Sequence, residues 1–255
     1  MELSGYRDDL RGRVAIVTGA ARGLGLHFAD ALVAEGMKVA LVARSADLLE
    51  KHAQRLGENA LAVPADIASP DSVREVFART VERFGRLDVL VNSATMNRLH
   101  RIEDITDAEL ASEVGVNIMG VIYCIREAIP LMRKAGGGDI INVSSESVTR
   151  PFPLLSLYAA TKAGIENLTV GLREELRHDK IRVTTFRSGT VDSGGMFLSD
   201  APPDRFQKFF DDSNAFGFMH DTGLAIAPQI AADALIALLR APHQAHIDFI
   251  SVRAR

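Results

Sequence analysis

A chain of 255 residues with 47% hydrophobic and 24% charged side chains has the composition of a globular protein with a full core. Its formal net charge of −4, with no basic tract, argues against a nucleic-acid partner. A single cysteine excludes an internal disulfide, and Cys124, set in an apolar run, reads as a core residue rather than an activated thiol.

Met1 to Gly12 is polar and lacks the hydrophobic centre of a signal peptide. No apolar stretch of about 18 residues is found, so no membrane span is expected, and the cytoplasm is the expected compartment. Val14 to Thr18 reads as a buried strand, and Leu24 to Glu35 as a helix ended by Gly36. Lys38 to Val42 is a second strand and Ala60 to Val63 a third. Ser69 as N-cap and Pro70 at the first helical position open the next helix. Leu87 to Val91 is a fourth strand. A long helix is predicted from Asp107 to Lys134, closed by Gly136-Gly137-Gly138 and bent near its end by Pro130. Asp139 to Ser144 is a fifth strand, Leu157 to His178 a helix, and Arg182 to Phe186 a sixth strand. Pro228 opens a last helix that runs to Leu239, and His246 to Val252 is strand-like.

This alternation requires parallel strands joined by right-handed crossovers, an α/β fold. Strands made almost wholly of Val, Ile and Leu suit a sheet buried on both faces. No linker or composition break divides the chain, so residues 1–255 read as one domain. Residues 194–223 lack clear periodicity but carry Phe206, Phe209, Phe210 and Phe216, with Met196, Phe197, Leu198, Phe218 and Met219 beside them. A substrate lid over about 193–225 is expected there, facing an apolar substrate, with Arg150 to Leu155 as the opposite wall.

The first strand runs straight into Thr18-Gly19-Ala20-Ala21-Arg22-Gly23-Leu24-Gly25. Glycines here permit a tight turn and close approach of backbone to a pyrophosphate, and the following helix N-terminus offers free N–H donors. The second strand ends Val42-Ala43-Arg44, so Ala43 stands where an acid would accept the ribose hydroxyl of NAD. Arg44 and Arg22 can instead grip the 2′-phosphate of NADP, which makes NADP(H) the expected cofactor and NAD(H) the less favoured one.

Tyr158 and Lys162 stand four residues apart at the start of a predicted helix, so phenol and ammonium share a face. Ser144 and Ser145 end the fifth strand, on the side of an open α/β sheet where ligands bind. A free tyrosine ionises near pH 10, so forming the phenolate at pH 7 costs about 4 kcal/mol. A nearby ammonium lowers that cost. The phenolate can then take an alcohol proton as hydride leaves carbon, and the phenol can return it, while a serine hydroxyl holds the oxygen.

On these residues, with Asp66-Ile67, Asn92-Ser93-Ala94 and Asn117, the chain resembles the short-chain dehydrogenase/reductase family along nearly its whole length. The resemblance implies a doubly wound (Rossmann) sheet of about seven parallel strands with helices on both faces, and hydride transfer between NADP(H) and a secondary alcohol or ketone. It selects Ser145 over Ser144, because the family's serine lies thirteen positions before the tyrosine. It gives Asn117 a place in a proton relay through a water to Lys162, sets Asp66 at the adenine and Asn92 against the backbone near the cofactor, and counts Ile67 and Ala94 with the cofactor-binding residues. Gly189, Val191 and Ser193 would line the nicotinamide side. Two long helices that pair in family members imply a homodimer or homotetramer.

Three positions depart from the family pattern: Thr95 stands for a glycine, Ser188 for a proline before Gly189, and Ser193 for a threonine. Glu146 reads as a solvated loop carboxylate. His243 and His246 lack the partners of a metal site. The alternative from another class is a catalytically weak, NADP(H)-binding regulatory protein.

Overall fold

A computed structural model of the chain describes residues 9–192, 202–217, 225–242 and 244–254. Its elements in order are β1 (Val14–Thr18), α1 (Gly23–Ala34), β2 (Lys38–Ala43), α2 (Ala46–Leu56), β3 (Ala60–Pro64), α3 (Pro70–Phe84), β4 (Val89–Asn92) and α4 (Asp107–Val114). A π-turn over Gly115–Gly120 leads into α5 (Val121–Ala135), β5 (Gly138–Ser145), α6 (Ser156–Glu175), β6 (Ile181–Ser188), α7 (Pro203–Ala215), α8 (Pro228–Arg240) and β7 (Phe249–Val252). The seven strands form one parallel sheet in the order β3-β2-β1-β4-β5-β6-β7. This is the doubly wound Rossmann-type arrangement, and its strand order reverses between β1 and β4.

Alternation along each strand divides the core in two. Ala15 and Val17 of β1, Val39 and Leu41 of β2, and Val89 and Val91 of β4 face one layer, closed by Phe28 and Leu32 of α1 and Leu235 and Leu239 of α8. Ile16, Ala40 and Leu90 face the other, closed by Val76 of α3, Ile125 of α5 and Ile165 of α6. Cys124 is buried in this second layer, and burial pushes its thiol up to about 12.

Local signals explain several element ends. Ser69 accepts from the Ser72 N–H at 3.4 Å ahead of Pro70. Thr106 and Glu109 form a reciprocal capping box that starts α4. Two helices lie where the pattern predicts none. In α2, only Leu49 is buried, so its apolar stripe is too thin to stand out. In α7, Pro203 supplies the start, and Phe209 and Ser213 supply the buried face.

The long helix expected over Asp107–Lys134 is corrected: it is interrupted by the π-turn at Gly115–Gly120, while α5 runs through Pro130. The cause is tertiary. Gly120 abuts Ile67 so closely that a Cβ there would lie 2.8 Å from Ile67 Cγ1, and the side chain of Asn117 is drawn into hydrogen bonds outside the helix. The run Asp107–Ala135 is also long and apolar enough to cross a membrane by length and composition, against the expectation of no such stretch. In this fold the α5 part of that run buries Val121, Cys124, Ile125, Ala128 and Met132 in the second core layer.

Candidate active site

The strand-order reversal opens a cleft of about 750 Å³ at the C-terminal ends of the strands. Two adjacent turns form its floor. Gly19 takes φ 72°, and a Cβ on it would sit 2.8 Å from Ala94 Cα. A Cβ on Gly25 would sit 2.5 Å from the Gly19 carbonyl oxygen. A side chain at Gly19 would push the turn off the segment that follows β4, and one at Gly25 would push α1 off the turn itself. Thr18 fastens the same junction, since its Oγ1 accepts from Ser93 N–H at 3.1 Å and Ala94 N–H at 3.0 Å.

The N-terminus of α1 carries no side-chain cap, so its first N–H groups remain available to an anion. Gly19, Arg22, Gly23, Leu24, Gly25, Arg44, Asp66, Ile67, Ala94, Gly189 and Val191 all line the cleft, as expected of a dinucleotide site. Arg22 and Arg44 are exposed, and neither pairs with a carboxylate among the described residues. The residues present fit a dinucleotide: glycine backbone that a pyrophosphate could approach, and two guanidinium groups, those of Arg22 and Arg44, in the same cleft. Asn92 does not reach the cleft. It is buried behind the wall and donates to Asn142 Oδ1 at 2.8 Å, leaving Ser93, Ala94 and Thr95 on the surface. Ser193 and lid positions 194–201 and 218–224 lie outside the described residues.

The pleat of β5 separates the two serines. Ser144 turns toward α6 and donates to Glu166 Oε1 at 2.7 Å, a carboxylate that also holds Arg187. Ser145 faces the cleft, where its Oγ accepts from the Ser147 N–H at 3.2 Å. One turn of α6 brings Tyr158 and Lys162 to the same opening. Burial pushes the Tyr158 phenol above the usual tyrosine value, and hydrogen bonding with Ser145 and Thr95 draws it partway back.

Burial pulls the Lys162 ammonium down to about 8. Its Nζ lies 5.7 Å from the Tyr158 ring centroid and donates to the Val143 carbonyl at 2.9 Å. The hydroxyls of Ser145 and Thr95 thus meet the phenol directly, two contacts that the helical spacing of Tyr158 and Lys162 does not reveal.

Asn117 is wholly buried in the π-turn. Its Nδ2 donates to the Met96 carbonyl at 2.7 Å and Thr161 Oγ1 at 3.1 Å. Its Oδ1 accepts from the Met96 N–H at 2.8 Å and the Thr95 hydroxyl at 3.2 Å. Asn117 thus stands behind the cleft and clamps the Thr95–Met96 segment, which does line it.

Sequence reasoning noted Thr95 only as a replacement for glycine and missed Met96, Arg98 and Leu99, which also border the cleft. Their one signal was position, directly after β4 at the switch point. Leu99, Leu155 and Phe209 form an apolar cluster, with Phe152, Phe206 and Tyr158 against it, along the cleft. Glu146 is corrected as well: it is half-buried in the cleft wall, accepts from Thr190 Oγ1 at 3.4 Å, and is pushed up by burial.

A second buried acid lies one turn before Asn117. Glu113 is fully buried, 3.7 Å from His100 Nε2. Burial pushes its carboxyl up to about 7 against the pull of Arg98, and burial pulls His100 down. Because the folded state holds the Glu113 proton more tightly than the ordinary value of 4.5, its stability contribution is complete below that pH and is lost as pH rises toward 7. Glu113→Gln is thus expected to exceed the parent in stability at pH 8 by about 2–3 kcal/mol, with the difference vanishing toward pH 4.5. His100 titrates in the opposite sense, so urea unfolding of both proteins at each pH, compared as a difference, isolates Glu113.

Among the described residues no three His, Cys, Asp or Glu side chains group as metal ligands. The short chain dehydrogenase family model matches residues 13–201. An uncharacterized oxidoreductase of Staphylococcus aureus strain MRSA252 is 31% identical over 245 residues, 96% of this chain and 98% of that protein. The crystal structure of a 3-ketoacyl-(acyl-carrier-protein) reductase from Brucella melitensis complexed with NADH superposes with TM-score 0.82 at 30% identity, covering 96% of this chain and 98% of that one. An alcohol dehydrogenase from the archaeon Thermococcus sibiricus, complexed with 5-hydroxy-NADP, gives TM-score 0.78 at 28% identity over 94% and 96% of the two chains.

Proposed function

The chain belongs to the short chain dehydrogenase family, and on that premise we propose that it transfers a hydride between NADP(H) and a secondary alcohol or its ketone. The observation that carries this reading is the meeting of the Ser145 hydroxyl and the Tyr158 phenol in the cleft whose other end is the glycine cradle. The nicotinamide, when bound, supplies or accepts the hydride.

The chain's own groups do the rest. Gly19, Gly23, Leu24 and Gly25 present backbone to the pyrophosphate, and Arg22 and Arg44 hold the 2′-phosphate. Asp66 and Ile67 border the adenine, and Gly189 and Val191 the nicotinamide side. Ser145 donates to the substrate oxygen and fixes its position. Tyr158 gives its proton to that oxygen during reduction and takes it back during oxidation. Lys162 holds the ribose and adds positive charge that favours the phenolate, while Asn117 keeps the Thr95–Met96 wall in place. Phe152, Phe206 and Phe209 exclude water and favour an apolar carbonyl compound.

Exposed Met119 in the π-turn, Ile122 on α5 and Val170 on α6 support a dimer or tetramer built on this part of the fold.

The test is NADPH consumption, followed by absorbance, over ketones and aldehydes of increasing apolar size, with NADH in parallel. Turnover is expected with NADPH and strongest for apolar ketones. NADPH binding with no turnover on any carbonyl would overturn the enzyme reading in favour of a nucleotide-binding regulator.

A further inference from the structure

The phenol of Tyr158 and the amide of Asn117 do not meet directly. Thr95 stands between them, with its hydroxyl beside the phenol and 3.2 Å from Asn117 Oδ1. The direction of that link is fixed by counting protons. Met96 presents both an N–H and a carbonyl to the same Asn117 amide, at 2.8 and 2.7 Å. Only one amide orientation satisfies both, and it leaves Oδ1 as an acceptor. Thr95 must therefore donate its one proton to Oδ1, and it shows the phenol a lone pair.

That arrangement suits a protonated Tyr158, which can donate to Thr95. It does not suit a phenolate, which needs donors. A threonine hydroxyl can rotate, and a hydrogen bond to a charged oxygen is about twice as strong as a neutral one. Asn117 Oδ1 would still keep the Met96 N–H, so no buried acceptor is stripped bare by the rotation.

We propose that Thr95 is a positioning residue for the proton transfer: it donates to Asn117 while Tyr158 is a phenol and turns to donate to Tyr158 when the phenolate forms. The proposal rests on Tyr158 being the proton donor and acceptor of the reaction. It makes the Asn117 clamp part of the same device, because the clamp holds Oδ1 where it can again accept the Thr95 hydrogen bond. At Thr95 only hydrogen bonds change partner, while the Tyr158 O–H bond breaks as that proton forms its bond to the substrate oxygen.

The direct test is the ionisation of this one phenol. Tyrosinate absorbance after a rapid jump to alkaline pH, with the Tyr158→Phe spectrum subtracted, isolates it from the other two of the chain's three tyrosines. Thr95→Val is expected to raise its midpoint by about one pH unit, and Thr95→Ser to restore it. Thr95→Ala serves in place of the valine variant if that protein does not fold.

The alkaline-rising limb of kcat/KM for alcohol oxidation should move by the same amount. An unshifted phenol in Thr95→Val or Thr95→Ala overturns the proposal, as does a shift that Thr95→Ser does not reverse. The spectroscopic readout needs no turnover. A shifted phenol in a protein inactive on every carbonyl would keep the coupling and refute the function; an unshifted phenol in an active enzyme would do the opposite.

Discussion

Tyr158→Phe is expected to lower kcat for ketone reduction by about 10³-fold, on the order of 4 kcal/mol of barrier, and to leave the Kd for NADPH within about twofold. The substitution removes one oxygen and keeps the ring, which packs against the Leu99, Leu155 and Phe209 cluster. Ser145 and Lys162 keep their backbone-anchored places on Ser147 and Val143. Substrate oxygen can still be held, so KM should change far less than kcat, the signature of a group that acts in the transition state. In the parent enzyme burial raises the phenol above its ordinary value, so the proton donor for reduction is fully present through neutral pH. Oxidation needs the phenolate, and its rate should climb with pH. Stopped-flow reduction kinetics across pH, with fluorescence titration of NADPH, read both quantities. Retained full kcat in the variant would remove Tyr158 from the chemistry.

The parts of this site that the sequence made legible are those written in local backbone chemistry. The glycine turn after Val14–Thr18 could be placed because a tight turn admits few residue types, and the close approaches found there are of Gly19 to Ala94 and of Gly25 to the Gly19 carbonyl, within the chain itself. Tyr158 and Lys162 share a helix face by spacing alone. What stayed hidden depends on residues far apart in sequence. The π-turn around Asn117 has no local signature, since it is held by Met96, Thr95 and Thr161. Asn92 sits in the pattern of a cofactor residue yet turns inward to Asn142, a partner fifty positions away. The electrostatics were hidden for the same reason. Lys162 and Tyr158 look like a simple ion pair on a helical wheel, but burial pushes both toward their neutral forms, and the hydroxyls of Ser145 and Thr95 enter from the end of β5 and from the segment after β4. Thr95, read from sequence as an awkward replacement for glycine, acquires a use only once Asn117 is seen on its other side.

Removing both guanidinium groups, in Arg22→Ala with Arg44→Ala, is expected to weaken NADPH binding by about 10²–10³-fold and to change NADH binding little. The geometry behind this is a single backbone bond. Ala20 N–H donates to the Val42 carbonyl at 3.1 Å, which brings the glycine turn against the end of β2. Arg22 and Arg44 each lie two residues beyond that bond, on adjacent stretches of chain, so both can close on one phosphate. Each hydrogen bond from a guanidinium to a dianionic phosphate contributes about 1.5–3 kcal/mol, and the lower end applies because both side chains are exposed and screened. The effect should shrink as salt is raised, while NADH binding stays nearly level. Adding Ala43→Asp to the double variant places a carboxylate at the end of β2, where it can accept both ribose hydroxyls and would repel a 2′-phosphate. The preference between the two cofactors should then invert, measured as the ratio of kcat/KM for NADPH over NADH. A parent enzyme that binds both cofactors equally, or a double variant that loses them in equal proportion, would show that Arg22 and Arg44 are solvated surface charges and that the 2′-phosphate is not recognised here.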